Sequence, residues 1–228
     1  LKGRRALVTG GDSGIGRAVA VAFAREGAEV AINYLDEEQP DADSLAGLLK
    51  AEGSKLTMLP GDLRNVETCR RIVKEAYKRL GGLDILVLNA GVQQAAADIA
   101  EITPERVRRT FEVNVYAPLF MAQAAVPLLP PGASVIITAS AEYYTPNKLL
   151  LDYAASKSAV TAFGVALSKY LLDKGVRVNS VCPGPTWTPL ERAAQPAEMA
   201  GIYVFLASSE ASYITGEIYG ITGGLSGK

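Results

Sequence analysis

Tyr153 and Lys157 lie four residues apart in a stretch of helical periodicity, so a helix projects both side chains from one face. A free phenol, with a pKa near about 10, is a poor acid or base at neutral pH. An ammonium group beside it favours the phenolate and should lower that value. Such a tyrosine can protonate a developing alkoxide or take the proton of an alcohol. Ser140, at the end of an apolar run, can hold the same oxygen by a hydrogen bond as charge builds on it. The chain has no histidine, so Ser-His-Asp and Cys-His nucleophile systems and histidine-ligated metals are excluded. Cys69 and Cys182 have no metal-ligand spacing and read as buried, reduced thiols of a cytoplasmic protein. No metal site is expected.

A second group of residues could hold an anion. The run Thr9-Gly10-Gly11-Asp12-Ser13-Gly14-Ile15-Gly16-Arg17 joins an apolar strand to a helical pattern. Glycines there let the backbone turn tightly and approach a pyrophosphate, whose charge faces the helix N-terminus. The spacing is Gly-x-x-x-Gly-x-Gly rather than Gly-x-Gly-x-x-Gly, and no Lys-Ser/Thr pair follows as in a nucleotide triphosphatase loop. By itself such a turn is weak evidence of a ligand.

These residues sit at the ends of alternating elements. Arg4–Thr9, Glu29–Tyr34, Leu56–Pro60, Ile85–Asn89, Ser134–Ser140 and Arg177–Cys182 read as strands, nearly continuous in apolar character. Strands of that kind are buried on both faces by helices in a parallel sheet. Gly14–Glu26, Val66–Leu80, Tyr153–Leu172 and Pro196–Ala207 carry apolar residues at helical spacing. The alternation predicts an α/β fold, a Rossmann-type doubly wound parallel sheet with helices on both faces, in a single domain over residues 1–228. Apolar residues make up 49% of the 228, enough for such a core. A net charge of −1 provides no field for a polyanion, so nucleic-acid binding is not expected. The most apolar stretch, Val113 to Leu129, is broken by Pro118, Gln123 and Pro127 and falls short of the roughly 20 residues of a membrane span. No targeting segment precedes the first strand. The chain opens on Leu1 rather than Met, which suggests a trimmed N-terminus.

The variant glycine spacing resembles that of the short-chain dehydrogenases/reductases, and the resemblance recurs along nearly the whole chain. It continues through Asp62-Leu63 after the third strand, Asn89-Ala90-Gly91 after the fourth, Asn114 in the long helix that follows, and Ser140 after the fifth. Tyr153-Ala154-Ala155-Ser156-Lys157 matches the family's Tyr-x-x-x-Lys, and Pro183-Gly184 with Thr186 and Thr188 ends the sixth strand. The resemblance implies hydride transfer between a nicotinamide cofactor and a carbonyl or alcohol. It assigns catalysis to Ser140, Tyr153, Lys157 and Asn114, with Asn114 positioning a water between Lys157 and solvent. It assigns the cofactor to Gly10, Asp12, Ser13, Gly14, Ile15, Gly16, Asn33, Tyr34, Asp62, Leu63, Asn89, Ala90, Gly91, Tyr153, Lys157, Pro183, Gly184, Thr186 and Thr188. Asp62-Leu63 would meet the adenine, and Lys157 the nicotinamide ribose.

Selection of NAD usually relies on a carboxylate at the end of the second strand. Here that strand ends Asn33-Tyr34-Leu35, which favours NADP over NAD. Against it, Ser13 replaces a basic residue often found in NADP-preferring relatives, and Asp36-Glu37-Glu38 would repel a phosphate if turned inward; Arg17 could offset them. An extended segment over Leu35–Ser44, Asn33-Tyr34 and the ending Tyr219-Gly220-Ile221-Thr222-Gly223-Gly224 are similar to a bacterial branch of NADP-dependent aldehyde reductases and uncharacterised oxidoreductases, with some features of glucose dehydrogenases.

The resemblance also implies a mobile substrate cover of about twenty residues between Glu191 and Arg192, where this chain runs on directly. Either the loop is truly short or the cover is left out of this chain, and the second is the expectation. Trp187 and Tyr143-Tyr144 are placed beside the substrate pocket or, equally, in a core or an interface. The family further implies a homotetramer paired through the Tyr153–Leu172 helix, acting on a small molecule. Two other classes stay open: a non-catalytic NAD(P)-binding sensor, and enoyl reduction, against which the Tyr-x-x-x-Lys spacing with a preceding Ser speaks.

Overall fold

The computed structural model describes residues 1–186 and 194–224. Seven strands form one sheet: β1 (Arg5–Thr9), β2 (Glu29–Tyr34), β3 (Leu56–Pro60), β4 (Ile85–Leu88), β5 (Ser134–Thr138), β6 (Arg177–Pro183) and β7 (Ile218–Ile221). Their order is β3-β2-β1-β4-β5-β6-β7, and every pairing is parallel. Among the described residues seven α-helices accompany them: α1 (Gly14–Arg25), α2 (Gln39–Ala51), α3 (Val66–Leu80), α4 (Pro104–Phe111), α5 (Ala117–Ala125), α6 (Leu151–Tyr170) and α7 (Pro196–Ala207).

Successive strand residues point to opposite faces, and both faces are covered. Leu7, Leu86, Val135 and Val178 pack with Ile72, Met121 and Leu167 under α3, α5 and α6. Val8, Ile32, Val87 and Ile136 pack with Phe23, Leu45 and Tyr203 under α1, α2 and α7. The sheet order reverses between β1 and β4, which opens a crevice beyond the carboxyl ends of these strands. This is the Rossmann-type doubly wound architecture expected above.

Three stretches add detail that the sequence reading did not assign. The lengthened segment over Leu35–Ser44 holds a 3-10 turn at Asp36–Glu38 and then the start of α2. The Glu38 carboxylate takes the Leu35 N–H at 2.9 Å, Pro40 occupies the helix's first turn, and Ala42, Leu45 and Leu49 bury one stripe. The seventh strand, β7, is short, half-buried and contains Gly220, so its pattern is faint. The long helix after β4 is also not uniform: α4 and α5 are joined by a π-helical segment, Glu112–Tyr116.

Candidate active site

The turn after β1 is shaped by close packing. A Cβ at Gly16 would lie 1.9 Å from the Gly10 carbonyl oxygen and 2.6 Å from Asn89 Nδ2. Gly14, at φ +51°, adopts a left-handed conformation that other residues resist. The first N–H groups of α1 have no partner inside the helix, and the Ser13 side chain does not cap them. Gly10, Asp12 and Ser13 line a cavity of about 280 Å³ together with Asn33, Tyr34, Asp62 and Leu63. Asp12 is only 2% exposed, and its Oδ2 has no hydrogen-bond partner, which leaves a buried acceptor for a ligand donor.

The asparagines of this region are structural through their side chains. Asn33 Nδ2 donates to the carbonyls of Leu59 and Gly61 at 3.1 and 2.9 Å, which ties β2 to the end of β3. Asn89 Nδ2 donates to the Thr9 and Gly10 carbonyls at 3.1 Å each, and its Oδ1 accepts from Thr138 at 3.1 Å. Asp62 pairs with Arg64, and those hydrogen bonds hold its carboxyl below the usual range. Charged residues without a motif also reach the cavity wall: Arg64, Arg109, Glu37 and Glu38. Arg17, expected to offset the acids, instead donates to Asp41 O at 3.1 Å and Ser44 Oγ at 3.2 Å on α2.

A second cavity, of about 730 Å³, shares Asn89, Gly91 and Val92 with the first. Ile15, Ser140, Tyr153, Lys157, Pro183, Gly184 and Thr186 all line it. Ser140 follows β5, Tyr153 and Lys157 stand one turn apart on α6, and Lys157 Nζ lies 5.6 Å from the Tyr153 ring centroid. Lys157 is 4% exposed and donates to the Thr138 carbonyl at 2.8 Å. Burial brings its pKa down to about 8. The phenol of Tyr153 is pushed up by burial, with Glu142 adding to the rise and Ser140 opposing it. The expectation that Lys157 lowers it is therefore corrected: desolvation outweighs the Ser140 hydrogen bond, which alone opposes the rise, and burial works against the charged form of both Tyr153 and Lys157.

Asn114 sits in the π-helical segment, a geometry frequent at functional sites. Its Oδ1 accepts from Val92 N–H at 2.9 Å, and its Nδ2 donates to Val92 O and Ser156 Oγ at 3.0 Å. Gly91 gives it access to Lys157: a Cβ there would lie 3.3 Å from both Asn114 Oδ1 and Lys157 Nζ. Ala90 and Gly91 line the first cavity as well. Tyr143 and Tyr144 are not among the residues lining the second cavity; they pack edge to face, and Tyr144 donates to Ile218 O on β7 at 3.2 Å. Trp187, Thr188 and the junction of Glu191 with Arg192 lie outside the described residues.

A buried network braces this wall. Arg106 of α4 meets Asp152 of α6 at 2.8 Å, with side chains 9% and 3% exposed. Thr110 donates to the same carboxylate at 2.7 Å, while Arg106 also donates to the carbonyls of Gln94 and Ala95 at 2.5 and 3.3 Å. Burial alone would raise the Asp152 pKa, but the bonds from Arg106 and Thr110 reverse the effect. No sequence spacing announced this network, because Arg106 and Thr110 lie 46 and 42 residues from Asp152 in sequence.

Comparison with known proteins bears directly on this arrangement. The family model described as short chain dehydrogenase matches residues 4–199, and one described as enoyl-(acyl carrier protein) reductase matches 186–226. The uncharacterized oxidoreductase YhxD of Bacillus subtilis (strain 168) is 52% identical, over 99% of this chain and 83% of that protein. The chloroplastic NADPH-dependent aldehyde reductase 1 of Arabidopsis thaliana is 40% identical, over 98% and 85%. A crystal structure of a short chain dehydrogenase from Burkholderia cenocepacia J2315 in complex with NADP superposes with a TM-score of 0.93 at 31% identity, covering 98% of each chain. The chain belongs to the short-chain dehydrogenase/reductase family and is a dehydrogenase/reductase enzyme. The match to YhxD runs over 248 positions against the 228 residues of this chain, so that relative carries at least 20 residues in the matched span that are missing here.

Proposed function

We propose that this enzyme interconverts an aldehyde or ketone and the corresponding alcohol, with NADP as its cofactor and Tyr153 as its proton donor. The observation that carries the reading is the convergence of Ser140, Tyr153 and Lys157, from two different elements, on one cavity that adjoins the glycine turn. The groove suits a dinucleotide: uncapped amides at the start of α1, the unpartnered Asp12 oxygen and the tight Gly16 contact supply donors, an acceptor and room. Gly10 to Gly16 would hold its phosphates, Asp62 and Leu63 its adenine, and Lys157 its nicotinamide ribose. When bound, the cofactor supplies or accepts the hydride.

The chain's own groups manage the substrate oxygen. Ser140 Oγ donates a hydrogen bond to it, which stabilises negative charge as it develops. Tyr153 Oη delivers the proton. A phenol whose pKa burial has raised keeps its proton at neutral pH, as reduction requires. Oxidation needs the phenolate and should gain rate as the solution becomes more alkaline. Lys157 and Asn114 both approach Gly91, where a proton could be resupplied.

NADP is favoured by the complexes and names of the relatives and by Arg64 and Arg109 on the wall of the first cavity. Glu37 and Glu38 on the same wall are the observation that favours NAD. Oxidation of NADPH and NADH, followed side by side with a panel of aldehydes, ketones and sugars, tests both points. Turnover with NADPH at a higher kcat/KM than with NADH supports the proposal. Binding of either nucleotide without turnover would favour a sensor.

In the same reading residues 1–228 are one domain, and the residues that YhxD has in excess cover the substrate between Glu191 and Arg192. No helix of the described residues is long and apolar enough to cross a membrane. A cytoplasmic homotetramer accords with the exposed Tyr116, Leu119, Tyr170 and Leu172 on or beside α5 and α6. Light scattering at micromolar concentration would overturn the tetramer if it returned a monomer mass.

A further inference from the structure

The cavity that holds Ser140, Tyr153 and Lys157 has one more ionisable side chain on its described wall, Glu142, to which the chemistry above gives no part. Glu142 stands in the 3-10 turn Ala141–Tyr143, two residues beyond Ser140. Its N–H donates to Ser140 Oγ at 3.2 Å, and its carboxylate accepts from the Asn147 N–H at 2.5 Å. The acid is thus tied at both its backbone and its head to the same rim as the substrate-holding hydroxyl. Its charge acts on the Tyr153 phenol, which places it within electrostatic reach of the reacting oxygen.

Nothing described on this wall neutralises it. The one cation there, Lys157, is bound to the Thr138 carbonyl, and Arg106 is paired with Asp152 and does not line this cavity. The other polar side chains on this described wall, Asn89, Gln93, Thr138, Asn147 and Thr186, are uncharged. A substrate with its oxygen between Ser140 and Tyr153 lies in a cavity whose described wall carries this fixed negative charge. Like charges brought together in a partly desolvated pocket repel strongly enough to set specificity.

We propose that Glu142 is a specificity-determining residue that makes the site select uncharged carbonyl substrates and reject those bearing a carboxylate or phosphate. The proposal rests on the carbonyl-reductase reading. Two four-carbon aldehydes test it, butanal and 4-oxobutanoate, which differ by a terminal carboxylate. The quantity measured is the ratio of their kcat/KM values with NADPH, in the wild type, Glu142→Gln and Glu142→Asp.

The wild type should prefer butanal. Glu142→Gln, which keeps an oxygen for the Asn147 N–H, should cut that preference by about tenfold, and Glu142→Asp should largely retain it. Melting temperatures confirm that both variants are folded. An unchanged ratio in Glu142→Gln, with butanal still reduced, would overturn the role of Glu142 alone. Failure of the wild type to reduce either aldehyde, or any other in the panel, would overturn the reductase reading and this proposal with it.

Discussion

Each end of the parallel sheet carries an arginine–aspartate pair, and the two are built to different standards. At the amino end, Arg5 at the start of β1 grips Asp84 just before β4, with Nε to Oδ2 at 2.7 Å and Nη2 to Oδ1 at 3.1 Å. Its side chains are 31% and 10% exposed, so water shares the charge. At the carboxyl end Arg106 and Asp152 are almost dry and take in three other groups. Drying an ion pair sacrifices solvation that its attraction only partly returns, so burial of this degree is poor evidence of stabilisation. Its position suggests another use: Asp152 immediately precedes Tyr153, and Gln94 and Ala95 belong to the loop beyond β4. The amino-end pair fastens two strands. The carboxyl-end pair fixes the helix that presents the phenol.

The largest effect expected at the carboxyl end belongs to the phenol itself. Tyr153→Phe removes one oxygen and should lower kcat by about 10²–10⁴-fold, the usual worth of a positioned proton donor, while NADPH still binds. Full activity in this variant would end the proposed mechanism. Next comes Asp152→Ala, which strands the Arg106 guanidinium in the interior. It should cost about 3–5 kcal/mol, seen as a melting temperature lower by roughly 10 °C. The comparison predicts more: kcat of the molecules that remain folded should fall while KM for NADPH holds, because Tyr153 loses its brace. A stability loss with undiminished kcat would make this pair merely structural, like its counterpart.

Lys157 gives the same contrast as a function of pH. Its pKa is about 8 in the folded protein against an ordinary 10.5, so between these values the unfolded chain holds the proton that the folded one has released. Stability therefore rises with pH across that window, and the penalty is complete below about 8. In the cofactor-free protein Lys157→Met should melt several degrees higher than the wild type at pH 7. The gap should close as the pH climbs towards 10.5. A gap independent of pH would mean that the ammonium is not desolvated.

What the sequence made legible follows from how local each signal is. Gly14, Gly16 and the Tyr153/Lys157 spacing are readable because a turn or one helical turn brings the residues together without help from distant chain. The strands with continuous apolar character, β1 to β6, were readable for the same reason. Gly220 and half-exposed neighbours hid β7, and Asp- and Glu-rich flanks masked α2 although Ala42, Leu45 and Leu49 carried its stripe. Arg106 and Asp152 were invisible because only the fold makes them neighbours. The sign of the Tyr153 shift was misjudged because spacing reveals the ammonium nearby but not how little water reaches either group.

The smallest effect lies at the amino end and completes the contrast. Burial raises the Asp84 carboxyl pKa, and the hydrogen bonds from the Arg5 guanidinium and N–H more than reverse this, leaving the group below the ordinary carboxylate range. A depressed folded pKa adds stability that is fully present above the unfolded value and is lost as pH falls through the folded one. Asp84→Asn keeps an oxygen for the Arg5 N–H but loses the charge, so it should cost about 1–2 kcal/mol near neutral pH. The difference from the wild type should disappear in acid, once Asp84 itself is protonated. Turnover per folded molecule should not change, because Asp84 lies at the opposite end of β4 from Asn89 and the cavities. Should Asp84→Asn slow turnover as much as Asp152→Ala, the two ends would be coupled through the sheet, and bracing the phenol could no longer be assigned to the carboxyl-end pair.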